Sequence, residues 1–103
     1  MSAPPPDTCG NAPGAVTRVM KIVNEKGLHA RASAKFVQAV EKFDATVRVS
    51  RNGESVGGDS IMGLMMLAAG IGSSITVTAT GREAQELIAA LEELVSSRFG
   101  EEE

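Results

Sequence analysis

One histidine in the sequence lies among residues that suit anion chemistry. His29 follows Gly27-Leu28 and precedes apolar residues at helical spacing, with Arg31 two residues later. A helix that begins at or just after His29 leaves the N–H groups of its first turn without helical acceptors, and such groups bind anions. The charged, planar guanidinium of Arg31 suits phosphate oxygens. The pattern fits reversible phosphorylation of the imidazole, and an ordinary surface histidine is the competing interpretation.

Composition narrows the classes of protein to consider. The 103 residues suffice for one small domain, and the 43% hydrophobic content allows a core of aliphatic, Met and Phe side chains. A net charge of −3 argues against nucleic-acid binding driven by charge alone. We expect no membrane insertion, because no apolar run is long enough to cross a membrane. We also expect no secretory signal, because no basic segment followed by an apolar one is present at the N-terminus. The single cysteine, Cys9, allows no internal disulfide and favours a cytoplasmic protein.

Apolar periodicity predicts seven elements in the order β-α-β-β-α-β-α. The predicted strands are residues 16–23, 45–50, 54–56 and 75–80, and the predicted helices are residues 30–42, 61–67 and 81–99. A single amphipathic sheet with helices on one face would bury the apolar side of each element. This arrangement is an α+β architecture. In the first strand, Met20 with Ile22 and Val19 with Val23 are two alternative buried pairs.

Two segments of the chain predict no packed structure. Residues 1–14 hold all four prolines and few large apolar side chains, so we expect a disordered tail before a domain at residues 15–100. Residues 101–103 are three glutamates, which we expect to be a solvated acidic end. Within the domain, Asn52-Gly53 predicts a type I′ hairpin turn.

The short second helix carries an unusual excess of apolar residues. Either Asp59 or Ser60 can cap its start. Leu64 and Leu67 are expected in the core. This leaves Ile61, Met62 and Met65 near solvent, where adaptable methionine side chains would suit more than one protein partner. Core packing of Met62, Met65 and Met66 is the alternative.

Two stretches together resemble the histidine-containing phosphocarrier (HPr) family of the phosphoenolpyruvate-dependent phosphotransferase systems. They are Gly27-Leu28-His29-Ala30-Arg31 and Ser60-Ile61-Met62-Gly63-Leu64-Met65, and they occur here in the expected element order. The resemblance covers roughly residues 16–99. It implies an HPr-like open-faced β-sandwich, with a four-stranded antiparallel sheet of order 1-4-2-3 and three helices on one face.

The resemblance also implies a relay of phosphoryl groups. Enzyme I would phosphorylate Nδ1 of His29 with a group taken from phosphoenolpyruvate, and His29 would pass it to an EIIA-type protein. The amides of Ala30 and Arg31 and the Arg31 guanidinium would meet the phosphoryl charge. Ser60 is the counterpart of a serine that an HPr kinase/phosphorylase modifies in some bacteria, and Ile61, Met62 and Met65 would form the docking patch.

One position departs from the common family motif. Ala32 stands where a proline usually follows the arginine, and alanine is a good helix former, so we expect the site to survive. The Ala-Ser-Ala variant resembles the nitrogen-related branch of these systems, which implies a regulatory carrier.

We therefore expect a monomeric phosphocarrier that forms a transient phosphohistidine, needs no metal or other cofactor and is not a stand-alone catalyst. The alternative is a regulatory binding module of the same fold, controlled through Ser60 without phosphotransfer. The pairing of His29 with Arg31 argues against that alternative. A small hydrolase or metal enzyme is poorly supported, because the sequence has one histidine and no Cys/His cluster.

Overall fold

The computed structural model describes residues 15–100 as four strands, three α-helices and a short terminal 3₁₀ helix. The strands are β1 (Val16–Lys21), β2 (Thr46–Arg51), β3 (Glu54–Gly57) and β4 (Ser74–Thr80). The α-helices are α1 (Ala30–Glu41), α2 (Ile61–Met66) and α3 (Ala84–Ser96), and the 3₁₀ helix is Arg98–Gly100. The predicted tail with Cys9 and the acidic end lie outside the described residues.

The strands form one antiparallel sheet in the order β1-β4-β2-β3, as the family resemblance implies. Strand β4 alternates buried Ile75, Val77 and Ala79 with partly exposed threonines. On the open face, threonine hydroxyls of neighbouring strands pair at 3.2 Å (Thr17 with Thr78) and 2.9 Å (Thr46 with Thr80). One face of the sheet therefore meets the helices and the other meets solvent, and the α+β open-faced sandwich is confirmed.

The helices bury the stripes that their periodicity predicts. The buried side chains of α1 are Ala32, Ser33, Phe36, Val37 and Val40. Those of α3 are Ala84, Leu87, Ile88, Leu91 and Val95. Ala39, Phe43 and Leu94, which continue the same apolar spacing, are only partly buried and pack against this core. Among the helices of residues 15–100, none is both long and apolar enough to cross a membrane.

The structure decides between the two buried pairs of the first strand. Met20 and Ile22 are 4% and 0% exposed, whereas Val19 is 64% exposed. The strand ends at Lys21 rather than at residue 23. Ile22 instead exchanges backbone hydrogen bonds with the loop before β4, donating to Ser73 and accepting from Gly72, both at 2.8 Å.

The predicted bounds of the third helix are wrong at both ends. Gly81 has φ +125° and approaches Ala45 closely, since a Cβ built on it would lie 2.8 Å from the Ala45 Cα. At the other end Arg98 and Phe99 have φ +60° and +56°, so the helix cannot continue through them. Phe99 is fully buried, which explains why the apolar spacing continues beyond the helix.

The predicted hairpin turn is present between β2 and β3. Asn52 has φ +52° and Gly53 has φ +83°, so both turn residues lie in the left-handed region that a type I′ turn needs.

Candidate functional site

His29 lies immediately before α1 and is its N-cap. Its backbone is extended, with φ −78° and ψ −177°, and its carbonyl oxygen accepts the first helical hydrogen bond from the amide of Ser33 at 2.8 Å. The ring nitrogen Nδ1 accepts a hydrogen bond from the amide of Arg31 at 3.2 Å. An accepting Nδ1 has a lone pair and no proton, and here that lone pair faces the first turn of the helix.

A tight turn that contains the buried residues Asn24, Gly27 and Leu28 precedes His29. Asn24 is 0% exposed, and its side-chain amide donates to the carbonyl oxygen of Gly27 at 2.9 Å. The Gly27 amide donates in return to the Asn24 carbonyl oxygen at 3.1 Å, and the His29 amide donates to the Gly27 carbonyl oxygen at 2.9 Å. These bonds fix the backbone of residues 24–29.

The turn is seated on the α2–β4 loop, which we define as residues 67–73. The Leu28 amide donates to the carbonyl oxygen of Ala69 at 2.9 Å. Gly27 has φ +65°, and a Cβ built on it would lie 2.4 Å from that same oxygen and 2.8 Å from the Gly70 Cα. Only glycine fits this contact, so Gly27 allows two loops far apart in sequence to touch beside His29.

Arg31 and Lys35 occupy successive turns of α1 but differ in their surroundings. The Arg31 side chain is exposed at the second helical position, two residues from the imidazole. Lys35 is partly buried and donates from Nζ to the carbonyl oxygen of Phe99 at 2.6 Å. Arg31 is thus the exposed cation of this pair, accessible to an incoming anion.

Ser60 caps the start of α2. Its Oγ accepts a hydrogen bond from the Gly63 amide at 3.0 Å, and its backbone is extended with φ −118° and ψ 110°. Of the two cap candidates in the sequence, Ser60 therefore fills the position. Helix α2, which begins after Ser60, packs against α1.

The surface of α2 is divided as the sequence predicts. Leu64 and Leu67 are 0% and 3% exposed, whereas Ile61, Met62 and Met65 are 39%, 69% and 39% exposed. We call these last three residues the α2 patch. Met66 and Ile71, which were not predicted to be part of this patch, are also exposed, at 71% and 59%.

Three residues around the site were not singled out from the sequence, namely Asn24, Ser33 and Arg51. The spacing of Asn24 and Gly27 is a turn signal, because an Asn side chain can bond to nearby backbone. Ser33 is 0% exposed and donates from Oγ to the Leu28 carbonyl oxygen at 3.3 Å. Nothing in the pattern indicates this bond, or the contacts of Arg51 with the α2–β4 loop.

Known proteins share both the sequence and the fold. Residues 16–97 match the family model for the PTS HPr component phosphorylation site, where PTS denotes the phosphotransferase system. The phosphocarrier protein HPr of Cupriavidus necator is 54% identical over 82 residues, covering 80% of this chain and 92% of that protein.

Two crystal structures of HPr proteins resemble the model. HPr-C-His from Thermoanaerobacter tengcongensis has a TM-score of 0.81 and 39% identity, covering 85% of this chain and 99% of that one. HPr from Bacillus anthracis has a TM-score of 0.75 and 40% identity, covering 79% of this chain and 96% of that one. The chain thus belongs to the HPr family, the phosphocarrier proteins of the phosphotransferase system.

Proposed function

We propose that this phosphocarrier accepts a phosphoryl group on Nδ1 of His29 from enzyme I and passes it to an EIIA-type protein. The observation that carries the proposal is the 3.2 Å hydrogen bond from the Arg31 amide to Nδ1. It indicates that the lone pair lies on the nitrogen nearest the helix start. Membership of the HPr family supports interaction with enzymes of the phosphotransferase system.

The transfer needs no chemistry beyond a displacement at phosphorus. The Nδ1 lone pair forms the new N–P bond. At the same time the bond between phosphorus and the enzyme I histidine breaks, and the ring nitrogen of that histidine takes back its electron pair. The catalytic demands are positioning and stabilisation of charge. The neutral imidazole is the reactive form, because protonated Nδ1 has no lone pair to attack with.

The first turn of α1 offers groups that suit the charged product. Once phosphorus occupies Nδ1, the Arg31 amide loses its nitrogen acceptor and can donate to a phosphoryl oxygen, together with the Ala30 amide. The exposed Arg31 guanidinium can neutralise part of the added charge. Because the site lies open at a helix start, this stabilisation stays moderate, as a carrier that must release its phosphoryl group requires.

Docking would use the α2 patch, which lies on the helix packed against α1. Its two methionines can adjust to different partner surfaces, and this carrier needs at least two partners, the donor and the acceptor.

We propose that the carrier acts as a monomer in the cytoplasm and that Ala32 marks an acceptor of the nitrogen-related branch. Comparing transfer to nitrogen-related and sugar-specific EIIA proteins tests that assignment.

We further propose that an ATP-dependent HPr kinase/phosphorylase regulates the carrier at Ser60. Ser60 is only partly buried and directly precedes Ile61 of the α2 patch in the chain. A phosphate there would add about two negative charges beside the apolar surface that partners bind. Incubation with such a kinase and ATP, with Ser60→Ala as the control, tests whether the residue is a substrate.

Transfer through His29 is tested by incubating the protein with enzyme I and labelled phosphoenolpyruvate. We expect an acid-labile label that later appears on an added EIIA protein. The variant His29→Ala should accept none while still unfolding cooperatively on heating. Undiminished acid-labile labelling of that variant would refute the proposal.

A further inference from the structure

We propose that Arg51 is a positioning residue for His29, acting through the α2–β4 loop. The proposal rests on the proposed transfer through His29. Arg51 is the last residue of β2 and is partly buried beneath this loop rather than solvated like an ordinary hairpin residue.

The guanidinium of Arg51 holds both ends of the α2–β4 loop. Its Nη1 donates to the carbonyl oxygen of Leu67 at 3.1 Å, and its Nη2 donates to Oγ of Ser73 at 3.3 Å. Leu67 is the C-cap of α2, where carbonyl groups lack partners within the helix and a cation is favourable. Since the sequence of α2 contains no lysine or arginine, Arg51 supplies that cation from the hairpin.

The middle of the same loop supports the residues before His29. The chain bends at Ala68 with φ +54° and at Gly72 with φ +88°. Between these bends Ala69 is 2% exposed, and its carbonyl oxygen accepts from the Leu28 amide. Arg51 therefore fixes the two ends of a loop whose centre is hydrogen-bonded to the residue directly before His29.

The contacts define how Arg51 would affect transfer. Without the guanidinium, the link between Leu67 and Ser73 is lost while the loop keeps its backbone bonds to Ile22, so the Ala69 oxygen is held less firmly. The Leu28 amide would then open more often, and Nδ1 of His29 would sample more positions relative to the Arg31 amide. Transfer is sensitive to such displacement, because the attacking atom must approach phosphorus in a defined geometry.

Arginine suits this role better than lysine, and the chain offers a matched control. Two nitrogens of one planar group reach two acceptors at once, whereas an ammonium group offers a single point charge. Arg48 lies on the same strand but is exposed and points to the open face of the sheet, where Nη2 donates to Oγ of Ser55 at 3.2 Å. Its substitution removes an arginine without touching the α2–β4 loop.

The experiment compares Arg51→Ala and Arg51→Lys with Arg48→Ala and Arg48→Lys in the full chain. Amide hydrogen exchange is measured by NMR at Leu28 and, as an internal reference, at Leu91 in the core of α3. For Arg51→Ala we expect exchange at Leu28 to rise about tenfold relative to Leu91, the change that loss of a charged hydrogen-bond donor produces. The lysine variant should fall between this result and the parent, and the Arg48 variants should match the parent.

Phosphoryl transfer from enzyme I to the same variants gives the second measurement. We expect Arg51→Ala to slow transfer by about threefold to tenfold, with the loss lying in the maximal rate rather than in the KM for the carrier. Equal exchange at Leu28 in the Arg51 and Arg48 variants would overturn the proposal, and so would equal transfer rates. If Arg51→Ala fails to fold, the two lysine variants decide by the same comparison.

The two measurements also separate this proposal from the proposed function. A parent protein that takes no label from enzyme I refutes transfer through His29 and, with it, any role of Arg51 in transfer. A selective change at Leu28 would then still establish that Arg51 holds the backbone at His29. If the parent is labelled but Leu28 does not respond to Arg51, only the positioning role is refuted.

Discussion

The starts of α1 and α2 have the same capping geometry but hold side chains of different reactivity. Each helix begins at a side chain that accepts a hydrogen bond from its own first turn, at 3.2 Å for His29 Nδ1 and 3.0 Å for Ser60 Oγ. At α1 the acceptor is a neutral imidazole nitrogen, which is itself a nucleophile. At α2 it is a hydroxyl, which needs an external base to become one. The same capping geometry therefore holds two groups of different reactivity.

The two helices also differ in how much of their surface is buried. Helix α1 has twelve residues and buries five side chains, whereas α2 has six residues and buries only Leu64 within its bounds. A long-range bond from the Leu28 amide to Ala69 ties the turn before His29 to the α2–β4 loop, whereas the Ser60 amide bonds locally to the Gly57 carbonyl oxygen at 3.2 Å. We interpret α1 as the fixed platform for the chemistry and α2 as the adaptable surface for partners.

The largest expected effect concerns the close contact of Gly27 that holds the turn before α1. In Gly27→Ala the new methyl group meets the Ala69 carbonyl oxygen while the backbone has φ +65°, so the free energy of unfolding should fall by about 2–3 kcal/mol. The matched control is Gly53→Ala, where φ is +83° but the space is open, and the loss should be only about 1 kcal/mol. Urea unfolding of both variants measures the difference. Equal losses would mean that the contact beside His29 is not close.

The next largest effect concerns Ser60 and the α2 patch. Phosphorylation of Ser60 should slow transfer from enzyme I to His29 by about tenfold, because docking must then desolvate the added charge beside the α2 patch. The Ser60→Asp variant should show a smaller loss, since it carries less charge in a different geometry. Transfer rates with mass-verified phosphoprotein provide the measurement. An unchanged rate would leave Ser60 with its capping role alone.

A smaller effect separates capping from chemistry. Removing the hydroxyl in Ser60→Ala should lower the free energy of unfolding by about 1 kcal/mol, the usual loss for a helix cap. Transfer to His29 should stay at the parent rate, because the apolar α2 patch is kept. Thermal unfolding and labelling of the same sample give both quantities. A strong loss of transfer would show that the two helix starts are not separable in this way.

The smallest expected effect concerns the geometry of the cation beside His29. The Arg31→Lys variant keeps the charge but loses the planar fork, so transfer should slow by about threefold with no measurable change in stability. The exposure of Arg31 supports the second expectation. Rapid-quench measurement of both half-reactions gives the rates. Identical rates for the variant and the parent would show that charge alone suffices.

Local signals in the sequence predicted much of the fold and most of the surface of α2. The Asn52-Gly53 turn and the buried stripes of α1 and α3 depend on residues that are neighbours along the chain. Other contacts join residues that only folding brings together. These are the contact of Gly27 with Ala69 and the hydrogen bond from Arg51 to Leu67, and periodicity does not predict them. The predicted C-terminal end of α3 was wrong for a related reason, because Phe99 keeps the apolar spacing after the backbone has left the helix.

The most direct test of the central claim is to identify the ring nitrogen of His29 that carries phosphorus. The protein, uniformly labelled with nitrogen-15, is phosphorylated by enzyme I and phosphoenolpyruvate and followed by NMR. We predict an N–P coupling at Nδ1 and a large shift of the Arg31 amide resonance, since that amide exchanges a nitrogen acceptor for a phosphoryl oxygen. Phosphorus on Nε2, or an Arg31 amide that does not respond, would contradict the account.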